Sequence, residues 1–90
     1  MRVSEMTTAQ FEEKAKQLIC GELNKVSNTE MQTTEIHTVW YSKVLQNKKG
    51  LFMVQGCPLY FEVTGNGATD HLYVDMYSKI SNNAYSSIEE

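Results

Sequence analysis

Apolar residues recur at helical spacing near the start of the chain: Phe11, Ala15, Leu18, Ile19, Leu23 and Val26 share one face, and Glu12, Glu13, Lys14, Lys16 and Gln17 occupy the other. This predicts an amphipathic helix. Its start is written in Met6 to Phe11, where Thr7 can cap, Gln10 closes a capping box three residues on, and Met6 is placed to staple onto Phe11. Glu12 and Lys16 stand in the right order for an i,i+4 ion pair. Gly21 costs about 1 kcal/mol relative to Ala in a helix interior, unless it marks a place where another backbone packs close. Residues 27–34 are polar apart from Met31 and read as a connection.

From Glu35 the period changes to two. Ile36, Thr38, Trp40, Ser42 and Val44 alternate with His37, Val39, Tyr41, Lys43 and Leu45, and the β-branched and aromatic content suits a strand. Asn47 to Gly50 reads as a turn, Leu51 to Gln55 as a second strand, Gly56-Cys57-Pro58 as another turn, and Leu59 to Thr64 as a third strand with Leu59, Phe61 and Val63 inward. Connections this short predict an antiparallel meander. The final stretch supports two readings. As a helix from Thr69 or Asp70, Tyr73, Met76, Tyr77, Ile80 and Ala84 line one stripe; as a strand, Leu72, Val74 and Met76 alternate until Ser78. The helical reading is the longer and is preferred. It gives a single α+β domain over residues 1–90, ordered from about 7 to 84 and frayed beyond, in the order α-β-β-β-α with the helices on one face of a three-stranded sheet.

Both sides of the first strand carry large apolar groups, Ile36, Trp40 and Val44 on one and Val39, Tyr41 and Leu45 on the other. Either the sheet curls to bury both, or one set is covered by the loop around Met31, a second copy of the chain, or a target.

Composition narrows the chemistry. Ninety residues make one modest core, and the formal charge of −3 comes with basic residues scattered along the chain. No phosphate-tracking stripe results, which argues against nucleic acid as a partner. The α-β-β-β-α order also occurs in double-stranded-RNA-binding domains, but Thr69-Asp70-His71-Leu72 puts negative charge where such domains meet phosphate. Cys20 and Cys57 lie on elements of different kinds and no secretory pattern precedes the helix, so reduced thiols and a cytoplasmic location are expected. No apolar run is long enough to cross a bilayer.

His37, His71, Cys20 and Cys57 lack the close spacing of a zinc site, so no metal is expected. Cys57 has no base that the sequence identifies, and a nucleophile needs one. Gly65-Asn66-Gly67 follows a meander strand and reads as a positive-φ turn before it reads as a phosphate loop. The carboxylate pairs Glu62 with Asp75 and Asp70 with Asp75 read as solvated. No catalytic residue and no cofactor is therefore expected, and the chain is not read as an enzyme.

Val39-Trp40, Lys43 to Lys49, Tyr60 to Thr64, Asn66-Gly67 and Leu72 to Lys79 together resemble a family of small uncharacterised proteins carried by phages and prophages of Gram-positive bacteria. The likeness covers roughly residues 8 to 83. It implies a setting in a bacterial host's cytoplasm and a protein that binds a host protein, such as an anti-CRISPR or related anti-defence inhibitor. On that reading the binding residues are the aromatic and acidic side chains Trp40, Tyr41, Tyr60, Glu62, Tyr73, Asp75 and Tyr77. Two alternatives stand beside it. One is a binder that sequesters a signalling nucleotide by stacking on these aromatics at a homodimer interface; the other is a phage nucleic-acid-binding regulator.

Overall fold

A computed structural model describes residues 1–26, 31–78 and 83–86, with the side chain of Val26 outside the described set. Helix α1 runs over Thr8–Val26. Its start follows the capping-box rule: the Thr7 amide donates to Gln10 Oε1 at 2.9 Å, and the Gln10 amide donates to Thr7 Oγ1 at 3.2 Å. Two orphan amides are thereby satisfied. Met6 packs on the core that contains Phe11, completing the staple. A single 3-10 turn, Val3–Glu5, precedes the helix and buries Val3.

The helix buries Phe11, Ala15, Ile19, Cys20 and Leu23 against Ile36, Phe52, Val54, Phe61 and Val63 of the sheet. Leu18 is half-buried, and Cys20 takes a core place that periodicity alone did not assign. Glu12 does not pair with Lys16; its carboxylate accepts from the Thr38 hydroxyl at 2.6 Å and so ties the helix to the first strand. The helical ion pair found among the described residues is Glu22 with Lys25 at 3.3 Å. Gly21 is exposed with no atom close to its missing side chain, so close packing does not account for it.

Four strands follow, β1 Ile36–Val44, β2 Asn47–Val54, β3 Leu59–Asn66 and β4 His71–Ser78, in the spatial order β1-β2-β3-β4 with every neighbour antiparallel. The class is α+β with the helix on one face, but the expected terminal helix is a fourth strand. Tyr73 and Tyr77 fit helical and strand periods alike, and pairing along β3 decides between them, from Asn66 opposite His71 to Leu59 opposite Ser78. The local chemistry at the entrance is that of a hairpin. Asn66 Oδ1 accepts from the amides of Ala68 and Thr69, and Asp70 has a φ of 58°, outside helical space. Asp70 caps no helix; it accepts the Val3 amide at 2.8 Å. Residues 79–82 of the expected helix lie outside the described set, and 83–86 are exposed and non-helical.

The first hairpin also turns earlier than expected. Val44 pairs with Asn47, leaving Leu45 and Gln46 as the turn, with Leu45 at a φ of 56°. Asn47 to Gly50 therefore belongs to β2, which carries Lys48 into the core, where it is 1 % exposed. Lys48 Nζ donates to the Val3 carbonyl at 2.9 Å, and burial, with Lys43 adding to it, lowers its pKa. Gly65 and Gly67 are needed for space, since neither has a positive φ. A Cβ on Gly65 would lie 2.9 Å from Val3 Cγ1 and 3.2 Å from the Phe11 ring, and one on Gly67 would overlap the Gln46 carbonyl.

One bulge sets the faces of β1. Thr38 pairs with Phe52 and Trp40 with Leu51, so Val39 is the extra residue. The alternation slips by one at that point. Ile36, Thr38, Tyr41 and Lys43 face α1, while Trp40, Ser42 and Val44 face away. Tyr41 packs its ring 5.5 Å from that of Phe11. The apolar surplus of β1 is thus divided between the faces, with Ile36 buried and Val39, Trp40 and Val44 exposed. Met31 packs on the helix-side core and leaves the far face open among the described residues.

Candidate functional site on the open face of the sheet

Strand register places side chains from all four strands in rows across the face opposite α1. Trp40, Leu51, Glu62 and Asp75 form one row; His37, Met53, Tyr60 and Tyr77 form the row on one side, and Ser42, Lys49, Thr64 and Tyr73 the row on the other. Of the seven residues expected to bind, the structure brings six onto this surface: Trp40, Tyr60, Glu62, Tyr73, Asp75 and Tyr77. Tyr41 is the exception. The bulge at Val39 turns it toward the helix, where its hydroxyl is buried with no hydrogen-bond partner.

Exposure on this face is uneven. Trp40 is 41 % exposed and Tyr73 and Tyr77 are each 50 % exposed, while Leu51, Met53 and Tyr60 are half-buried between them. The acidic residues are not dispersed as a solvated surface would have them. Glu62 and Asp75 stand directly opposite each other across β3 and β4, an arrangement that costs stability in proportion to its like-charge repulsion. Lys49 relieves it in part, with Nζ 3.8 Å from Glu62 Oε2. The Asp75 charge, then that of Glu62, holds the Tyr77 pKa above the ordinary tyrosine range.

Between Trp40 and Val44 the small side chains of Ser42 and Thr64 leave a shallow groove of about 340 Å³, to which Asn47 and Lys49 contribute. Its walls are an indole and an isopropyl group, and its exposed lining is predominantly apolar. Sequence alone singles out Val44, as part of the apolar surplus of β1, but not Lys49, Leu51 or Met53. Assigning Asn47 to Gly50 to a strand would have brought Lys49 into the row with Thr64.

The other chemical candidates form no metal-binding group among the described residues. Cys20 is buried, and desolvation, followed by Glu35 and Glu13, raises its thiol pKa away from nucleophilic use at neutral pH. Cys57 is half-buried in the turn where its amide donates to Val54 at 3.0 Å. His37 and His71 sit exposed on strands, and no group of three metal-binding side chains forms among the described residues. No helix among them is long and apolar enough to cross a membrane.

Fold and face together define a small helix-on-sheet protein that gathers aromatic and acidic side chains on the face opposite its helix. Residues 12–87 match DUF6275, a family of unknown function, and the chain belongs to that family. No curated protein and no solved structure matches it.

Proposed function

We propose that this protein is an interaction module that binds a host protein through the open sheet face, and that in the phage setting its sequence resembles it serves as an anti-defence inhibitor of the anti-CRISPR kind. One observation carries the reading: six aromatic and acidic side chains from three strands meet on one surface that no other described residue covers, two of them as facing carboxylates that folding alone disfavours. The partner surface it fits is basic around an apolar centre. An arginine or lysine placed between Glu62 and Asp75 offsets their repulsion, and Trp40 and the tyrosines supply the rigid amphipathic area that binding hot spots favour.

The test uses a photo-crosslinking residue at position 60 on the open face and, as control, at position 14 on the outer face of α1. A host protein captured from the first position alone, which then binds the purified chain directly and loses that binding with Trp40→Ala, supports the proposal. Equal capture from both positions, or direct binding that survives Trp40→Ala in a folded protein, refutes it. The anti-defence role predicts that expression restores phage plaquing on a host carrying a nuclease defence; unchanged plaquing removes that part.

A second reading draws on the groove. Trp40 offers an indole for stacking on a base and Lys49 lies beside it for a phosphate, on a groove whose lining is otherwise predominantly apolar. Thermal-shift measurement against cyclic and ADP-ribose-derived nucleotides tests it, with no shift as the refuting result.

A further inference from the structure

The edges of the sheet differ. A terminal strand exposes a row of backbone donors and acceptors, and natural sheets blunt such edges with bulges, lysines, prolines or cover. β1 is blunted by the bulge at Val39 and by Lys43. Among the described residues β4 shows none of these devices: its sequence HLYVDMYS is free of Gly, Pro and Lys, carries Asp75 as its one acidic charge, and pairs with β3 without a register shift along its whole length. Among the described strands it is paired on one side only. Its side chains are half-exposed on both faces, Tyr73 and Tyr77 on the open side and Met76, at 40 %, on the helix side.

The strand also complements itself. Antiparallel pairing of β4 with its own copy about a two-fold axis keeps faces matched only if the axis passes through a residue. Centres at Val74 and Asp75 are the two that pair nearly the whole strand. The Asp75 centre sets two carboxylates face to face and is disfavoured. The Val74 centre sets Leu72 against the partner's Met76, Tyr73 against the partner's Asp75, and His71 against the partner's Tyr77. Apolar meets apolar on the helix side, and phenol meets carboxylate on the open side.

We propose that β4 is a self-pairing edge, and that two copies of the chain join through antiparallel β4 strands centred on Val74 into one continuous sheet, with both helices on one side and both aromatic faces on the other. The pairing is isologous, as a closed dimer requires. The inference does not depend on the identity of any host partner.

Sedimentation across a concentration series tests it. The wild type is expected at twice the chain mass at the higher concentrations. Tyr73→Asp places a carboxylate against the partner's Asp75 at two symmetric points and is expected to halve the mass, and adding Asp75→Lys to that variant is expected to double it again. Circular dichroism confirms that each variant is folded. Hydrogen exchange supplies a measurement that needs no variant: β4 amides are expected to lose protection on dilution while β2 amides keep theirs. A wild type at the single-chain mass throughout, a folded Tyr73→Asp variant at twice the chain mass, or failure of the double variant to restore pairing each overturns the proposal, and the first leaves β4 to a strand from another protein.

Discussion

Asp75→Asn is the substitution in which stability and recognition pull in opposite directions. Asp75 faces Glu62 directly across the β3–β4 ladder, and like charges at such a position cost on the order of 0.2–1 kcal/mol. Lys49 lies 3.8 Å from Glu62 and already offsets part of that, so the gain on neutralising Asp75 belongs in the lower half of the range, about 0.2–0.5 kcal/mol. At roughly 4–8 °C per kcal/mol for a domain of this size, the melting temperature should rise by about 1–4 °C. The gain should shrink with added salt, because the pair is surface-exposed. The phenol of Tyr77 provides a second readout at the same site: with the Asp75 charge removed, its pKa should fall toward the ordinary value, as followed by phenolate absorbance. Thermal unfolding at low and high salt, together with that titration, decides the matter. A variant less stable than wild type, or a Tyr77 titration that does not move, would refute the electrostatic account of this face. A variant that is more stable yet binds its partner less well is the signature of charges kept for recognition.

Three further predictions concern the packing that holds the face in place. Gly65→Ala forces a methyl against Val3, Leu72 and Phe11 and should cost about 1–3 kcal/mol in urea denaturation; an unchanged midpoint would contradict the close approach of α1 to β3. Leu45→Gly should stabilise by about 0.5–1 kcal/mol, since Leu45 is solvent-exposed and pays for a positive φ that glycine adopts freely; a loss in chemical denaturation would show that the turn is not strained. The depressed pKa of Lys48 means that the unfolded chain binds the extra proton, so between the folded and ordinary lysine values Lys48 adds stability as pH rises. Tyr77, raised in the folded state, acts with the opposite sign through its own window, and stability should therefore fall more steeply with alkaline pH in Lys48→Met than in wild type.

Local rules were legible in the sequence and non-local ones were not. The start of α1 could be read because a capping box and a staple involve residues a few positions apart, and the inward set Leu59, Phe61 and Val63 could be read because β3 alternates without interruption. Uniform alternation misaligns β1 beyond Thr38, because a bulge adds a residue without leaving a compositional mark, and that single slip groups Trp40 with Ile36 and Tyr41 with His37 where the structure has the reverse. The Leu45-Gln46 turn contains no residue that favours turns, so the polar run Asn47 to Gly50 drew the assignment instead. β4 was read as a helix because Tyr73, Met76 and Tyr77 satisfy both periods, and the residues that decide between them, Phe61 and Val63, lie in another strand. Six of the seven candidate residues nonetheless converge, since alternation in β3 and β4 keeps Tyr60, Glu62, Tyr73, Asp75 and Tyr77 on one side and the bulge in β1 turns Trp40 to the same side.

Trp40 is the chain's single tryptophan and stands on the open face, so its fluorescence reports on that surface alone. Collisional quenching by iodide, in the free protein and then with the crosslinked partner added in purified form, tests the central claim most directly. The account predicts red-shifted emission that iodide quenches readily in the free protein and that the partner shields. Emission that iodide cannot reach in the free protein, or quenching that a bound partner leaves unchanged, would contradict it.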